Sequence, residues 1–64
     1  MAVTDAIVSE AGNLEVYKQW KTWMPLLTKI GYRYVKGEAR CYYKHRDGRY
    51  YYRTVAEAEM HRMT

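Results

Sequence analysis

Apolar side chains recur at helical spacing in the first half of the chain. Asn13 suits the N-terminal cap of a helix, and apolar residues follow it three or four positions apart: Leu14, Tyr17, Trp20, Met24 and Leu27. This stripe predicts an amphipathic helix that faces the core. Because Pro25 lacks a backbone donor, the helix either kinks there or ends near Trp23, and Gly31 stops the chain from continuing it.

Residues 1–12 are mostly small or polar, end in Gly12 and show no sustained period. We expect a flexible N-terminal segment over residues 1–12, followed by a single small α+β domain over residues 13–64.

From Tyr32 the pattern changes to residues that favour strands. Three runs, YRYVK, ARCYYKHR and RYYYRT, are separated by Gly37-Glu38 and by Asp47-Gly48. Asp-Gly between strand-like runs favours a two-residue type I′ turn, and Gly suits the first central position of a type II′ turn. The sequence therefore predicts a three-stranded antiparallel β-meander.

Thr54 begins a third pattern. Thr54 and Glu57 have the spacing of a capping box, in which each side chain bonds the other residue's backbone amide. Ala56, Met60 and Met63 follow as a thin apolar stripe. A short C-terminal helix is predicted, so the fold class is α+β with the element order α-β-β-β-α.

Two-residue turns fix the strand register, and the register decides which side chains share a face. With both predicted turns, every arginine of the sheet falls on one face, together with Tyr42 and Tyr51. The opposite face is expected to lie under the helices and holds Tyr32, Tyr34, Cys41, Tyr43, Tyr50 and Tyr52. This sorting depends on the Asp47-Gly48 turn, because one extra turn residue changes which residues face each other.

Composition narrows the class of protein. A chain of 64 residues makes one small domain of marginal stability. Its single cysteine allows no intrachain disulfide and fits a reducing compartment. No apolar run approaches the ~20 residues of a membrane span, and the N-terminus lacks the features of a signal peptide. We expect a soluble, cytoplasmic protein, associated with the nucleoid if it binds DNA.

Positive charge is concentrated in the predicted sheet. Residues 29–53 hold eight of the eleven Lys and Arg residues and two of the seven acidic residues. Such a segment is typical of proteins that bind phosphate backbones, and a β-sheet can enter the major groove of DNA. Tyrosines among the cations would contact thymine methyl groups or stack on unpaired bases. The candidate nucleic-acid-binding residues are Arg33, Arg40, Tyr42, Lys44, Arg46, Arg49, Tyr51 and Arg53.

The second half of the chain resembles the three-stranded-sheet DNA-binding domains of the integrase arm-binding, AP2 and methyl-CpG-binding type. The similarity rests on Gly31-Tyr32-Arg33, Tyr42-Tyr43, Asp47-Gly48-Arg49, and Arg53-Thr54 followed by Glu57. This chain has one residue more between the turn glycine and the helix cap, and it lacks the long inter-strand loop that contacts DNA in methyl-CpG-binding domains. The resemblance implies docking on double-stranded DNA through exposed sheet residues, without recognition of methylation.

Protein binding competes with DNA binding as an interpretation. Tyr and Arg are enriched at interface hot spots, so a small accessory or inhibitor protein of phage or mobile-element type could dock the same face on an acidic protein partner. RNA is a further alternative. The run GRYYYRT is similar to the middle strand of WW domains, whose groove tryptophan and closing proline are missing here.

Metal binding and catalysis are not expected. Cys41 and His45 would lie about 13 Å apart along a strand, which is too far to share one ion, and further ligands are missing. His45 and Asp47 flank a turn that offers no pocket to exclude water. We therefore expect a protein that is not an enzyme and uses no cofactor.

Overall fold

The computed structural model describes residues 3–56 and residue 58. Its elements are α1 (Asp5–Glu10), β1 (Gly12–Asn13), the 3₁₀ helices η1 (Leu14–Val16) and η2 (Trp20–Leu26), β2 (Leu27–Val35), β3 (Glu38–His45) and β4 (Tyr50–Thr54). The strands form one sheet in the order β1-β4-β3-β2, with β1 parallel to β4 and the other neighbours antiparallel. The fold is a small α+β arrangement built on a four-stranded mixed sheet.

The three predicted strands are present as β2, β3 and β4. The short strand β1 pairs with the outer edge of β4, where Gly12 faces Tyr51 and Asn13 faces Tyr52. The sequence pattern did not predict this strand, because two residues are too few to show an alternation.

The predicted amphipathic α-helix after Asn13 is wrong. Asn13 does act as a cap, since its side chain accepts a hydrogen bond from the Glu15 amide at 3.0 Å, but the helix it begins is the short η1. The second 3₁₀ helix, η2, contains Pro25. Proline and the aromatic and β-branched residues of this stretch disfavour a continuous α-helix. The chain instead enters β2 at Leu27, and Gly31 lies inside that strand at a register shift.

An α-helix occupies part of the segment predicted to be flexible. Thr4 caps α1 by accepting a hydrogen bond from the Ile7 amide at 3.4 Å, and Ile7 is buried. Arg33 of β2 donates hydrogen bonds to the Val3 carbonyl and to the Asp5 carboxylate. The sequence pattern did not predict α1, and the flexibility of residues 1–12 stays a prediction.

The turn between β2 and β3 is displaced from its predicted position. Lys36 and Gly37 form it with φ values of 53° and 78°, the pair of positive angles that a type I′ turn requires. The register differs from the prediction by two residues, so Arg33 faces Arg40. Because side chains alternate with a period of two, the predicted sharing of one face by Arg33 and Arg40 is confirmed despite the wrong turn.

The main core lies between the 3₁₀ helices and one face of the sheet. Its buried members are Leu14, Ala39, Cys41, Tyr43, Tyr51 and Val55, and Trp20, Trp23, Leu27 and Tyr32 pack against them. Ile7 and Tyr42 are buried outside this cluster. Since Arg33 shares the face of Tyr42 and bonds to α1 and Val3, the N-terminal segment lies against the second face of the sheet.

The predicted C-terminal helix falls outside the described residues at Glu57, Met60 and Met63. Thr54, its predicted cap, is the last residue of β4, and Val55 is buried in the main core. None of the helices within residues 3–56 and 58 is long and apolar enough to cross a membrane.

Candidate nucleic-acid interface

The β3–β4 hairpin closes through three residues rather than two. The His45 amide donates to the Arg49 carbonyl at 2.7 Å, and the Gly48 amide donates to the His45 carbonyl at 2.9 Å. Gly48 has a φ of 98°. This is the geometry of a three-residue hairpin loop, in which a turn is followed by a glycine of positive φ. The predicted two-residue Asp47-Gly48 turn is wrong, because Arg46 also belongs to the loop.

The extra loop residue reverses the face of β4. Lys44 faces Tyr50 and Tyr42 faces Tyr52, while Tyr51 faces Tyr43 on the core side. The prediction that every sheet arginine shares one face is therefore wrong. Arg53 faces Cys41 on the core side, with its guanidinium 5.6 Å from the centre of the Trp20 ring.

Both tyrosines among the candidate binding residues are buried. Tyr51 is 6% exposed and belongs to the main core, and Tyr42 is 0% exposed. The ring of Tyr42 meets that of Tyr52 edge-on, with centroids 5.7 Å apart. Neither Tyr42 nor Tyr51 has an open ring face on which an unpaired base would stack.

Three of the candidate cations are exposed together at one end of the sheet. Lys44 lies near the end of β3, Arg46 lies in the loop, and Arg49 follows the loop immediately before β4. We call these three residues the basic tip. The side chain of Arg49 is 77% exposed, and Lys44 Nζ lies 5.9 Å from the centre of the Tyr50 ring.

Asp47 is the acidic residue within the loop, and its carboxylate is used to hold the loop. Its Oδ1 accepts a hydrogen bond from the Arg49 amide at 3.0 Å and lies 3.1 Å from His45 Nδ1. Its Oδ2 is 3.9 Å from Arg49 Nε. The amide hydrogen bond, followed by the charges of His45 and Arg49, lowers the pKa of Asp47 below its ordinary value of 3.8. Asp47 is therefore ionised at neutral pH and offsets part of the charge of the basic tip.

Arg33 and Arg40 are half-buried and engaged within the protein. Arg40 donates to Glu38 Oε2 from Nε at 3.2 Å and from Nη2 at 3.0 Å, and its guanidinium lies 4.0 Å from the centre of the Tyr52 ring. Arg33 pairs with Asp5 and donates to the Val3 carbonyl at 3.2 Å. Both arginines share the face of Lys44, but their guanidinium groups are less available to a binding partner than the cationic groups of the basic tip.

Sequence reasoning missed that Tyr50 and Tyr52, rather than Tyr51, share the face of Lys44. Both are half-buried. The signal that could have revealed this is Arg46-Asp47-Gly48, since Gly also suits the third position of a three-residue hairpin loop. Asp-Gly fits both kinds of loop, so local sequence does not separate them.

Within residues 3–56 and 58, no group of three or more His, Cys, Asp and Glu side chains is arranged to hold a metal ion. No protein-family model matches the chain, and comparisons with curated proteins and with solved structures gave no significant match.

Proposed function

We propose that the protein binds double-stranded DNA, without catalysis, through the basic tip of its β3–β4 hairpin. The observation that carries the proposal is the exposure of Lys44, Arg46 and Arg49 at one end of the sheet, with Asp47 as the loop's single acidic residue. Cations that cluster on one surface raise the local positive potential, which attracts an anionic partner. A phosphate backbone presents such a partner at regular intervals.

The position of the loop is compatible with docking in the major groove. Strands of a β-sheet can enter this groove of B-DNA, and arginine side chains can bond the guanine edge there as well as phosphates. The loop places Arg46 and Arg49 at the end of the four-stranded sheet, with Lys44 behind them on β3. In this proposal Arg46 and Arg49 contact bases or phosphates inside the groove, and Lys44 contacts a flanking phosphate.

The remaining candidate residues have secondary roles in this proposal. Arg33 and Arg40 share the face of Lys44 and would reach phosphates only after yielding their bonds to Asp5 and Glu38. Arg53 lies on the core side of the sheet and is therefore not placed at the DNA in this proposal. The resemblance to three-stranded DNA-binding sheets supports docking on duplex DNA through exposed residues of the sheet.

A salt titration against duplex DNA tests the proposal. The logarithm of affinity falls with the logarithm of salt concentration by about 0.9 for each phosphate neutralised. Replacing Arg46 and Arg49 together by Ala should weaken binding by about tenfold or more and reduce this slope by about 2. The matched control is Lys18→Ala with Lys21→Ala, which removes the same charge from two exposed residues outside the sheet.

Two results would contradict the proposal. The first is an absence of binding to duplex DNA even at low salt. The second is an equal loss of affinity and slope in the two double variants, because the effect would then follow net charge rather than the position of the basic tip.

A second candidate function, docking on an acidic protein, is favoured by one observation. Apolar side chains are exposed beside the basic tip: Leu26 is 38% exposed and Met24 39%. The Arg46 amide donates to the Leu26 carbonyl at 3.0 Å, so the two surfaces adjoin. Protein interfaces combine an apolar centre with a polar rim, whereas a DNA backbone offers no apolar surface for such a centre to cover. Loss of partner binding in Leu26→Ser, with unchanged binding to DNA, would support this candidate.

A further inference from the structure

A cleft opens beside the basic tip, next to the point where the pairing of β1 with β4 begins. Its volume is about 270 Å³, and its walls include Glu10, Gly12, Tyr17, Arg49, Tyr50 and Tyr51. The pairing of β1 with β4 begins at Gly12 and Tyr51, and α1 ends at Glu10. The edge of β4 next to the loop is therefore left uncovered by β1, and the space lies between it and the end of α1.

One wall of the cleft is an aromatic ring that is both exposed and held in place. Tyr17 is 42% exposed. Its ring meets the edge of Tyr51 with centroids 5.6 Å apart and packs against Trp23 at 5.2 Å. Because these contacts fix the ring, a planar ligand that stacks on it would not have to order it first.

Two opposite charges flank the aromatic wall. Arg49 lies in the basic tip, and its closest carboxylate oxygen in the described chain is 3.9 Å away. Glu10, at the end of α1, forms no salt bridge with any described residue. The cleft thus offers a stacking surface, a cation for an anionic group and a carboxylate that accepts hydrogen bonds.

We infer that this cleft binds one unpaired nucleobase of DNA together with its adjacent phosphate. The base would stack on Tyr17, Arg49 would contact the phosphate, and Glu10 would accept a hydrogen bond from an exocyclic amino group such as that of cytosine. The volume suits a single base rather than a longer segment. This inference rests on the proposed DNA binding and adds a preference for duplexes that contain an unpaired base.

The preference is measured by fluorescence anisotropy on three labelled duplexes that differ at one position: fully paired, with one unpaired cytosine, and with one unpaired thymine. We expect the duplex with unpaired cytosine to bind about tenfold more tightly than the paired duplex, since stacking on an aromatic side chain contributes on that scale. Tyr17→Ala should abolish the preference. Tyr34→Ala, at an exposed tyrosine of β2 outside the cleft, should retain it.

Glu10→Gln tests the role of the carboxylate. Removing a negative charge strengthens binding to all three duplexes, so the informative quantity is the ratio of affinities for unpaired cytosine and unpaired thymine. We expect this ratio to fall severalfold in Glu10→Gln and to stay unchanged in Glu15→Gln, which removes the same charge from an exposed residue of η1. This comparison holds even if Tyr17→Ala fails to fold.

The outcomes separate the inference from the proposed function. Equal binding to all three duplexes overturns the inference and leaves DNA binding intact. If no duplex binds, the proposed function fails, and the cleft is then probed directly with deoxycytidine monophosphate. Unchanged NMR signals of the Tyr17 ring on adding that nucleotide would overturn the inference as well.

Discussion

Tyr42 is fully buried although Arg40 and Lys44, its neighbours on the same face of β3, are cationic. Its ring packs edge-on against Tyr52, and Arg40 donates to its hydroxyl at 3.5 Å. Tyrosine suits such a position because it buries a large apolar ring while its hydroxyl finds a polar partner. Residue type therefore did not reveal whether a tyrosine among cations lies on the surface or in the interior.

Replacing Tyr42 tests this interior role. Tyr42→Ala should lower the free energy of unfolding by about 3–5 kcal/mol, as is usual for removing a buried aromatic ring. Tyr42→Phe should cost only about 1 kcal/mol, because it removes one long hydrogen bond and keeps the ring. Urea denaturation measures both, and Val16→Ala, at a residue 73% exposed, is the control. A loss of less than about 1 kcal/mol in Tyr42→Ala would show that Tyr42 is not buried.

Among the elements, the β3–β4 loop has the largest consequence for the candidate site. With Arg46, Asp47 and Gly48 in the loop, Lys44 faces Tyr50, and the inward residues of β4 are Tyr51 and Arg53. A two-residue loop would have turned Tyr51 outward, since side chains alternate along a strand. The loop therefore decides which tyrosines accompany the cations.

The positive φ of Gly48 makes this loop sensitive to substitution. Gly48→Ala should destabilise the protein by about 1 kcal/mol, because a Cβ disfavours this backbone region, although nothing lies within 4 Å of the new atom. Gly48→Asn should cost less, since asparagine tolerates positive φ. Gly12→Ala is the control, because its Cβ would make ordinary contacts of 3.7 Å at a position without positive φ. Equal stability of Gly48→Ala and wild type in urea would contradict this description of the loop.

In the molecule as a whole, both faces of the sheet are covered in part by chain from its N-terminal half. The 3₁₀ helices cover the face of Tyr43 and Tyr51, and the segment around α1 lies against the face of Tyr42. The carboxylate of Asp5 forms a salt bridge with the guanidinium of Arg33, in the way that a phosphate group could. If the protein binds DNA as proposed, the N-terminal segment limits how much of the second face a DNA backbone can reach.

Releasing Arg33 should strengthen DNA binding. In Asp5→Asn the ion pair is lost and α1 loses a favourable charge in its first turn, so Arg33 becomes available to a phosphate. We expect higher affinity and a salt slope steeper by about 0.9. Glu15→Gln removes the same charge elsewhere and should raise affinity less, with an unchanged slope. Identical salt slopes in the two variants would show that Arg33 does not reach DNA.

The sequence by itself determined β3, β4, the second half of β2 and where the positive charge is concentrated, whereas Leu27, the first residue of β2, was predicted to be helical. Tyr and Val favour strands, Gly37 and Gly48 mark the turns, and the charge of residues 29–53 is a property of composition. These patterns predicted the three consecutive strands, but they did not predict α1, β1 or the 3₁₀ helices. The amphipathic stripe after Asn13 did not separate an α-helix from 3₁₀ helices, because both place apolar residues three or four positions apart.

The tertiary structure decided which side chains face outward. A difference of one residue in a loop reverses every side chain of the next strand, and local sequence allowed either loop. In the structure Tyr51 lies inward, packed with Leu14 and Val55, and Arg53 lies near the Trp20 ring. These contacts join parts of the chain that are distant in sequence, so no local pattern reports them. They leave Lys44, Arg46 and Arg49 exposed at one end of the sheet.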